Sequence, residues 1–198
     1  MPWDTARTKQ LLLDAAVEEF AEHGPHGARV ARIATRAGVN KERIYQYFGS
    51  KEQLFGSVLE AELAKLAAAV PMTVEQAADL GDYAGRVYDY HSAHPHFLRL
   101  LAWEGLQCAD GAPEGVAAES ERAAHYAEKV AAVSSAQRAG VLTDEVDAAR
   151  LMYAVLALVN TWFTLPQVVR LLLAATPDNR PGTDREALVL LAGRLTRR

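Results

Sequence analysis

The sequence predicts an all-α protein in which a small N-terminal three-helix domain, residues 1–50, is joined to a larger helical body, residues 51–198, with about nine helices in all. Three observations predict it. Apolar residues recur at three-to-four spacing along almost the whole chain, the signature of one-sided helices. No run of alternating polarity is bounded by Asn-Gly or Asp-Gly, so hairpin signals are missing. Glycines and prolines fall between the periodic stretches, where helices stop.

Each element follows from local residues. The first helix runs from about Thr5 to His23, with Leu12, Ala16 and Phe20 on one stripe and Gly24 as terminator. A short second helix from about Arg29 to Ala37 turns Val30, Ile33, Ala34 and Ala37 inward, and Gly38 supplies a turn that needs positive φ. Asn40 caps a third helix, Lys41 to Phe48, with Ile44 and Phe48 inward. Ser50 and Gln53 form a capping box for the fourth helix, and the domain boundary lies inside that helix. Thr73 and Gln76 repeat the box and open a helix running to about His94; Pro95 then takes the first position of a sixth, ending near Cys108. Ala109 to Pro113 is a loop. An Ala- and Glu-rich seventh helix ends before Gly140. Thr143 opens the eighth, which should kink or break near Pro166. Thr183 and Glu186 box the last helix, which carries Leu188, Leu190, Leu191 and Leu195.

Bulk composition narrows the function classes. Half the residues are hydrophobic and 23% are charged, an ordinary balance for a globular protein. The single cysteine excludes an internal disulfide framework, which fits the cytoplasm. Trp3, Asp4 and Arg7 break any signal-peptide pattern, and Asn160, Thr161, Pro166, Gln167 and Arg170 interrupt the longest apolar stretch, so no membrane span is expected. Net charge is -4, but it is unevenly spread. Between residues 29 and 51 stand Arg29, Arg32, Arg36, Lys41, Arg43 and Lys51 against the one acid Glu42, a local charge of +5. That patch is either a solvated face or the footprint of a phosphate-binding surface.

Short helix, glycine turn, short helix is the geometry that lays one helix in a major groove. Val39, Ile44 and Phe48 brace the third helix from behind. Lys41, Glu42, Arg43, Tyr45, Gln46 and Tyr47 then face outward, a set of donors, hydroxyls and an amide suited to base edges and phosphates. The stretches LLDAAVEEFAEHG, IATRAGV and IYQYFGSKEQLF together resemble the tetracycline-repressor (TetR) family of transcription regulators, over roughly residues 7–60. The rest of the chain matches that family in being all-helical and of the right length. The resemblance implies a homodimer with two recognition helices, repression of nearby genes from a double-stranded DNA operator, and release by a small ligand. It implies base-edge contacts from Lys41, Glu42, Arg43 and Tyr45, and phosphate contacts from Tyr47 and Lys51. Two departures stand out. The family's threonine at the start of the second helix is replaced by Ala28 and Arg29, where Arg29 substitutes charge for the hydroxyl. Glu42 is unusual on a groove face, where it either accepts from cytosine N4 or orients Arg43.

The eighth helix is apolar on more than one face, through Leu151, Val155, Leu158, Val159, Trp162 and Leu165. It suits a dimeric four-helix bundle, and the resemblance likewise places the eighth and ninth helices at the interface. Tyr88, His91, Trp103, Tyr126, Asn160, Trp162 and Phe163 are either core or the lining of a site for an apolar or aromatic effector, with His91 or Asn160 as polar anchor. Two other classes compete: a helical dimer that binds protein, and an enzyme built on Cys108 and histidine. The enzyme lacks any glycine-rich strand turn or oxyanion motif. His91, His94 and His96 straddle Pro95 and cannot share one helical face, so neither a metal nor another cofactor is expected.

Overall fold

A computed structural model describes residues 5–109, 116–175 and 184–198. Among these residues the chain is helical throughout: α1 (Thr5–Gly27), α2 (Val30–Ala37), α3 (Glu42–Phe48), α4 (Lys51–Ala69), α5 (Leu80–Ala93), α6 (Pro95–Ala109), α7 (Glu119–Arg138), α8 (Ala148–Thr164), α9 (Pro166–Ala174) and α10 (Asp184–Thr196). Two compact units are present, one formed by Met1–Lys65 with His96–Glu119, the other by Leu66–Pro95 with Ser120–Arg198. The division falls inside α4.

The first unit is built around one apolar cluster. Leu12, Ala16 and Phe20 of α1 are fully buried, as the stripe predicts, with Ile33 of α2, Ile44 of α3, Leu54 and Val58 of α4 and Leu100 of α6. Phe20 meets Phe55 edge to face at 5.1 Å. Gly24 does more than end a helix. Its φ of 67° and ψ of 172° put a sharp bend inside α1, a conformation only glycine adopts readily, and a Cβ there would lie 2.8 Å from the Trp103 indole. Gly38 takes the expected left-handed turn, φ 65°.

In the second unit α5 packs on α10 and on α8. Tyr83, Val87, Leu151, Val155, Val159 and Leu188 form its interior. Gly81 permits a close approach to α10, since a Cβ there would meet Val189 O at 2.8 Å. The segment before α8 is tied to the chain end by Thr143 N–H donating to Thr196 O (3.0 Å) and an isolated bridge between Leu142 and Arg197.

Two helix starts lie later than the sequence reading places them. The Thr73–Gln76 box forms, with Gln76 N–H donating to Thr73 Oγ1 (3.2 Å) and Thr73 N–H to Gln76 Oε1 (2.9 Å), but it opens only one 3-10 turn, Gln76–Ala78. Asp79 then restarts the helix by accepting from Asp82 N–H (3.0 Å). Asp147, not Thr143, caps α8, accepting from Arg150 N–H at 3.0 Å. The kink or break expected near Pro166 is a complete break, so α8 and α9 are separate helices bent by 84°, and the described residues hold ten α-helices where about nine were expected. Among the described residues no single helix is long and apolar enough to cross a membrane. The loop from Ala109 to Pro113 and the Thr183 cap fall largely outside the described residues.

Gly24→Ala should cost about 2 kcal/mol or more, combining backbone strain with the indole clash. The apparent melting temperature should fall by about 4–8 °C, measured by circular dichroism. An unchanged transition would mean that Trp103 and the bend yield freely.

Candidate nucleic-acid interface

The helix-turn-helix stands on a buried carboxylate. Glu19 of α1 is 2% exposed, and a charge at that depth requires compensation. Its Oε1 accepts the Arg29 backbone N–H (2.9 Å) and the Arg32 Nε–H (2.7 Å), and Arg32 also donates to Gly27 O (3.1 Å). Burial pushes the Glu19 carboxyl upward, but the bonds from Arg32 and Arg29 outweigh it and hold the group below the usual carboxylate range. The N-terminus of α2 has no cap from its own Arg29 side chain. Glu19 does that work from the neighbouring helix, which answers the missing threonine in a way the linear sequence did not suggest. Arg36 is likewise paired, to Glu18 at 2.7 Å. Two of the six cations in the basic window are therefore bound by α1 acids.

α3 presents the rest. Ile44 is fully buried and Val39 and Phe48 pack against the same cluster, so the brace is as expected. Lys41, Glu42, Tyr45 and Gln46 are exposed on the opposite side, and Arg43 is half-buried, its guanidinium donating to Gln46 Oε1 (2.8 Å). That bond joins arginine and amide into one donor–acceptor group, of the types suited to base edges. Tyr47 is not wholly outward: it is half-buried against the core cluster, with Lys9 Nζ 5.7 Å from its ring. Lys51 lies at the start of α4, its ammonium donating to His26 O and Ala28 O, both at 3.4 Å. Arg29 is exposed beside them. Glu18 and Glu19 are the residues sequence reasoning missed, because a pairing between two helices leaves no local signal in the sequence.

In the second unit the structure brings together four of the residues expected to line an effector site. His91 Nε2–H donates to Asn160 Oδ1 at 3.0 Å, Tyr88 contacts Phe163 with ring centroids 5.0 Å apart, and His91 meets the same phenylalanine at 5.6 Å. Because Asn160 offers an oxygen, Nε2 carries the imidazole proton. Burial drives the His91 pKa down to about 4, so the ring is neutral. Trp162, half-buried, lies two residues on from Asn160 and so points to another side of α8. Tyr126 is exposed on α7. Trp103 belongs to the first unit, against Gly24, and is not part of the His91 group. The three histidines have three different partners: His94 Nδ1–H donates to Tyr90 O, and His96 Nε2–H to the buried Glu62.

Comparison with known proteins agrees with this geometry. A family model described as "Bacterial regulatory proteins, tetR family" matches residues 12–58, and one described as "Tetracyclin repressor-like, C-terminal domain" matches residues 79–194. The chain belongs to the TetR family. The HTH-type transcriptional repressor SCO4008 of Streptomyces coelicolor is 42% identical over 197 residues, 98% of each chain. The repressor NicS of Pseudomonas putida is 40% identical over 104 residues, 50% of this chain and 49% of that one. The crystal structure of a putative transcriptional regulator, SCO4942 from Streptomyces coelicolor, superposes with a TM-score of 0.81 at 34% identity, covering 96% of this chain and 98% of that one. As a member of the TetR family this protein is a DNA-binding helix-turn-helix transcriptional repressor, of a family that acts as dimers and answers to small molecules.

The buried neutral His91 gives stability a pH dependence. The unfolded imidazole takes up a proton near pH 6.5 and the folded one only near 4, so in that window the unfolded chain binds more protons. The contribution is complete above about 6.5 and is lost as pH falls toward 4, by roughly 3 kcal/mol in all. Urea unfolding at about pH 7 and about pH 5 should show a shallower loss in His91→Gln than in wild type. Parallel slopes would place the titration elsewhere.

Proposed function

We propose that this repressor binds a near-palindromic operator as a homodimer, reading it through residues 1–50, and is released by a small apolar or aromatic effector held in the body, residues 51–198. The observation that carries the reading is the two-sidedness of α3: Ile44 at 0% exposure behind, Tyr45 at 52% in front, with Lys41, Glu42, Arg43 and Gln46 sharing the outward side. We assign base edges to Lys41, Glu42, Arg43, Tyr45 and Gln46, and phosphates to Arg29, Tyr47 and Lys51. Arg32, engaged by Glu19, contributes through the brace it forms.

Dimerisation is assigned to α8 and α10, the eighth and last helices of the sequence reading. Tyr153 on α8 and Leu190, Leu191 and Leu195 on α10 are all more than half exposed, an apolar area that a partner helix pair would cover. The effector is assigned to the group formed by Tyr88, His91, Asn160 and Phe163, where one neutral polar pair lies among rings. Trp162 on another side of α8 and Tyr126 on α7 complete the residues assigned to ligand response. A ligand that favours a reader spacing unlike that of the operator lowers DNA affinity by its differential affinity for the two states. The protein acts by binding in the cytoplasm, with no catalytic step, cofactor or metal.

Selection of duplexes from a random pool, followed by titration at several salt concentrations, tests this. Affinity should fall steeply with salt, and Lys51→Ala should flatten the slope by about one unit while weakening all sequences alike. Arg43→Ala should relax preference at one position per half-site, at a cost on the order of 1–3 kcal/mol. Salt-independent binding, or a footprint of a single half-site, would overturn the proposal.

A further inference from the structure

A second group of side chains lies on α5 and α7, and the effector reading leaves it unused. Its centre is Tyr83, eight residues before His91 on α5 and hence about 12 Å away along the helix. Lys129 of α7 is buried, and its Nζ–H groups donate to the Tyr83 hydroxyl (2.9 Å) and to Val70 O (3.5 Å). An ammonium has three N–H donors, so one is unspent. Arg86, one turn on from Tyr83, places its guanidinium 5.5 Å from the same ring. It donates from Nε to Asp82 (3.0 Å) and from Nη1 to Pro71 O (2.8 Å), while its buried Nη2 has no partner among the described residues. His125 stands one turn before Lys129 on α7, and its buried Nε2 is also without a partner there.

The charges do not balance. Asp82 neutralises Arg86, and Glu128 is the carboxylate whose charge reaches His125. Lys129 has Arg86 as its charged neighbour and no acid within reach among the described residues. A buried ammonium so placed costs several kcal/mol unless an anion joins it or the proton leaves. Burial lowers its pKa to about 8, which still leaves the group charged at neutral pH. Tyr83, pushed upward by its own burial, stays a neutral hydroxyl.

We propose that Lys129 and Arg86, both beside the Tyr83 ring, together with His125 one turn before Lys129 on α7, form the anion-binding end of a ligand site that accepts the carboxylate of a small organic acid. The unspent groups supply the recognition: one N–H of Lys129 and the two of Arg86 Nη2, from two helices, with the unpartnered His125 Nε2 on α7 able to donate when it carries the ring proton. One uncompensated positive charge matches a monoanion. A phosphate dianion would replace a buried excess of one sign with an excess of the other, so the carboxylate is favoured. The inference rests on the effector reading only in making this ligand the regulator's effector; binding itself does not involve DNA.

Titration calorimetry of the full-length protein with benzoate and with benzamide, similar in shape but different in charge, tests the site. Benzoate should bind and benzamide should not. Lys129→Met should weaken benzoate about tenfold or more, while raising the melting temperature of the ligand-free protein because an uncompensated charge has left the interior. Should that variant not fold, Arg86→Gln and His125→Gln provide the same readout of affinity from the rim. Equal heats from the two probes, including none from either, would overturn the proposal, as would wild-type benzoate affinity in the variants. Operator binding is measured separately, and its absence would count against the regulator reading and not against the anion site.

Discussion

The reader depends on a carboxylate in the wrong medium. Glu19 lies inside the first unit, where an unpaired charge would cost several kcal/mol, and it is tolerated because the start of α2 and the Arg32 guanidinium both deliver hydrogen bonds to it. That requirement runs in both directions. α2 has no side-chain cap of its own, so without Glu19 the Arg29 amide at its start would lack the partner that fixes where the helix begins. The register of α2 sets the place of Gly38, and the Gly38 turn sets the angle at which α3 leaves. A groove-reading helix must be held to within a fraction of an ångström by rigid support, and a buried charge satisfied in only one geometry is more directional than apolar packing alone.

This explains which parts of the protein the sequence made legible. The apolar stripes were readable because burial is a property of periodicity: Leu12, Ala16, Phe20 and Ile44 are all at zero exposure. Gly38 was readable because a positive φ leaves few other choices. The start of α4 was readable at Ser50, whose hydroxyl accepts the Gln53 N–H (3.1 Å), whereas the expected Asn40 cap lies one residue before Lys41, the N-cap of α3. At Thr73 the box formed as expected, yet Asp79 lay six residues on and took over the helix proper. At Thr143 the same competition went to Asp147. Local signals say that a cap is possible; they do not say which of two nearby caps the tertiary packing will use.

Charge was the least legible property. Six cations against one acid between residues 29 and 51 describe a patch in sequence, but Glu18 and Glu19 lie outside that window and claim Arg36 and Arg32. The cations not claimed by α1 acids are thus fewer than the linear count: Arg29, Lys41, Arg43 and Lys51. His91 and Asn160 were named as alternative polar anchors, and that these residues, 69 apart in sequence, bond to each other is visible only in three dimensions. Tyr47 shows the converse. A tyrosine can lay its ring on the core while its hydroxyl reaches water, so inward and outward are not exclusive for an amphipathic side chain.

The two units use buried charge for opposite ends. In the first, Glu19 is met by Arg32, and Glu62 by Lys65 and His96, so these two buried carboxylates are closed within the chain. Burial alone would push the Glu62 carboxyl upward, yet Lys65 and His96 hold it below the ordinary range. In the second unit Lys129 is held by a phenol and a carbonyl, which satisfy its donors without cancelling its charge. Closed pairs make a rigid frame, as a reader of DNA shape requires. An open cation leaves the interior with an unmet electrostatic demand that a ligand can fill, and the free energy of filling it is available to shift a conformational equilibrium. A regulator needs both: a part whose geometry does not respond to small anions and a part whose stability does.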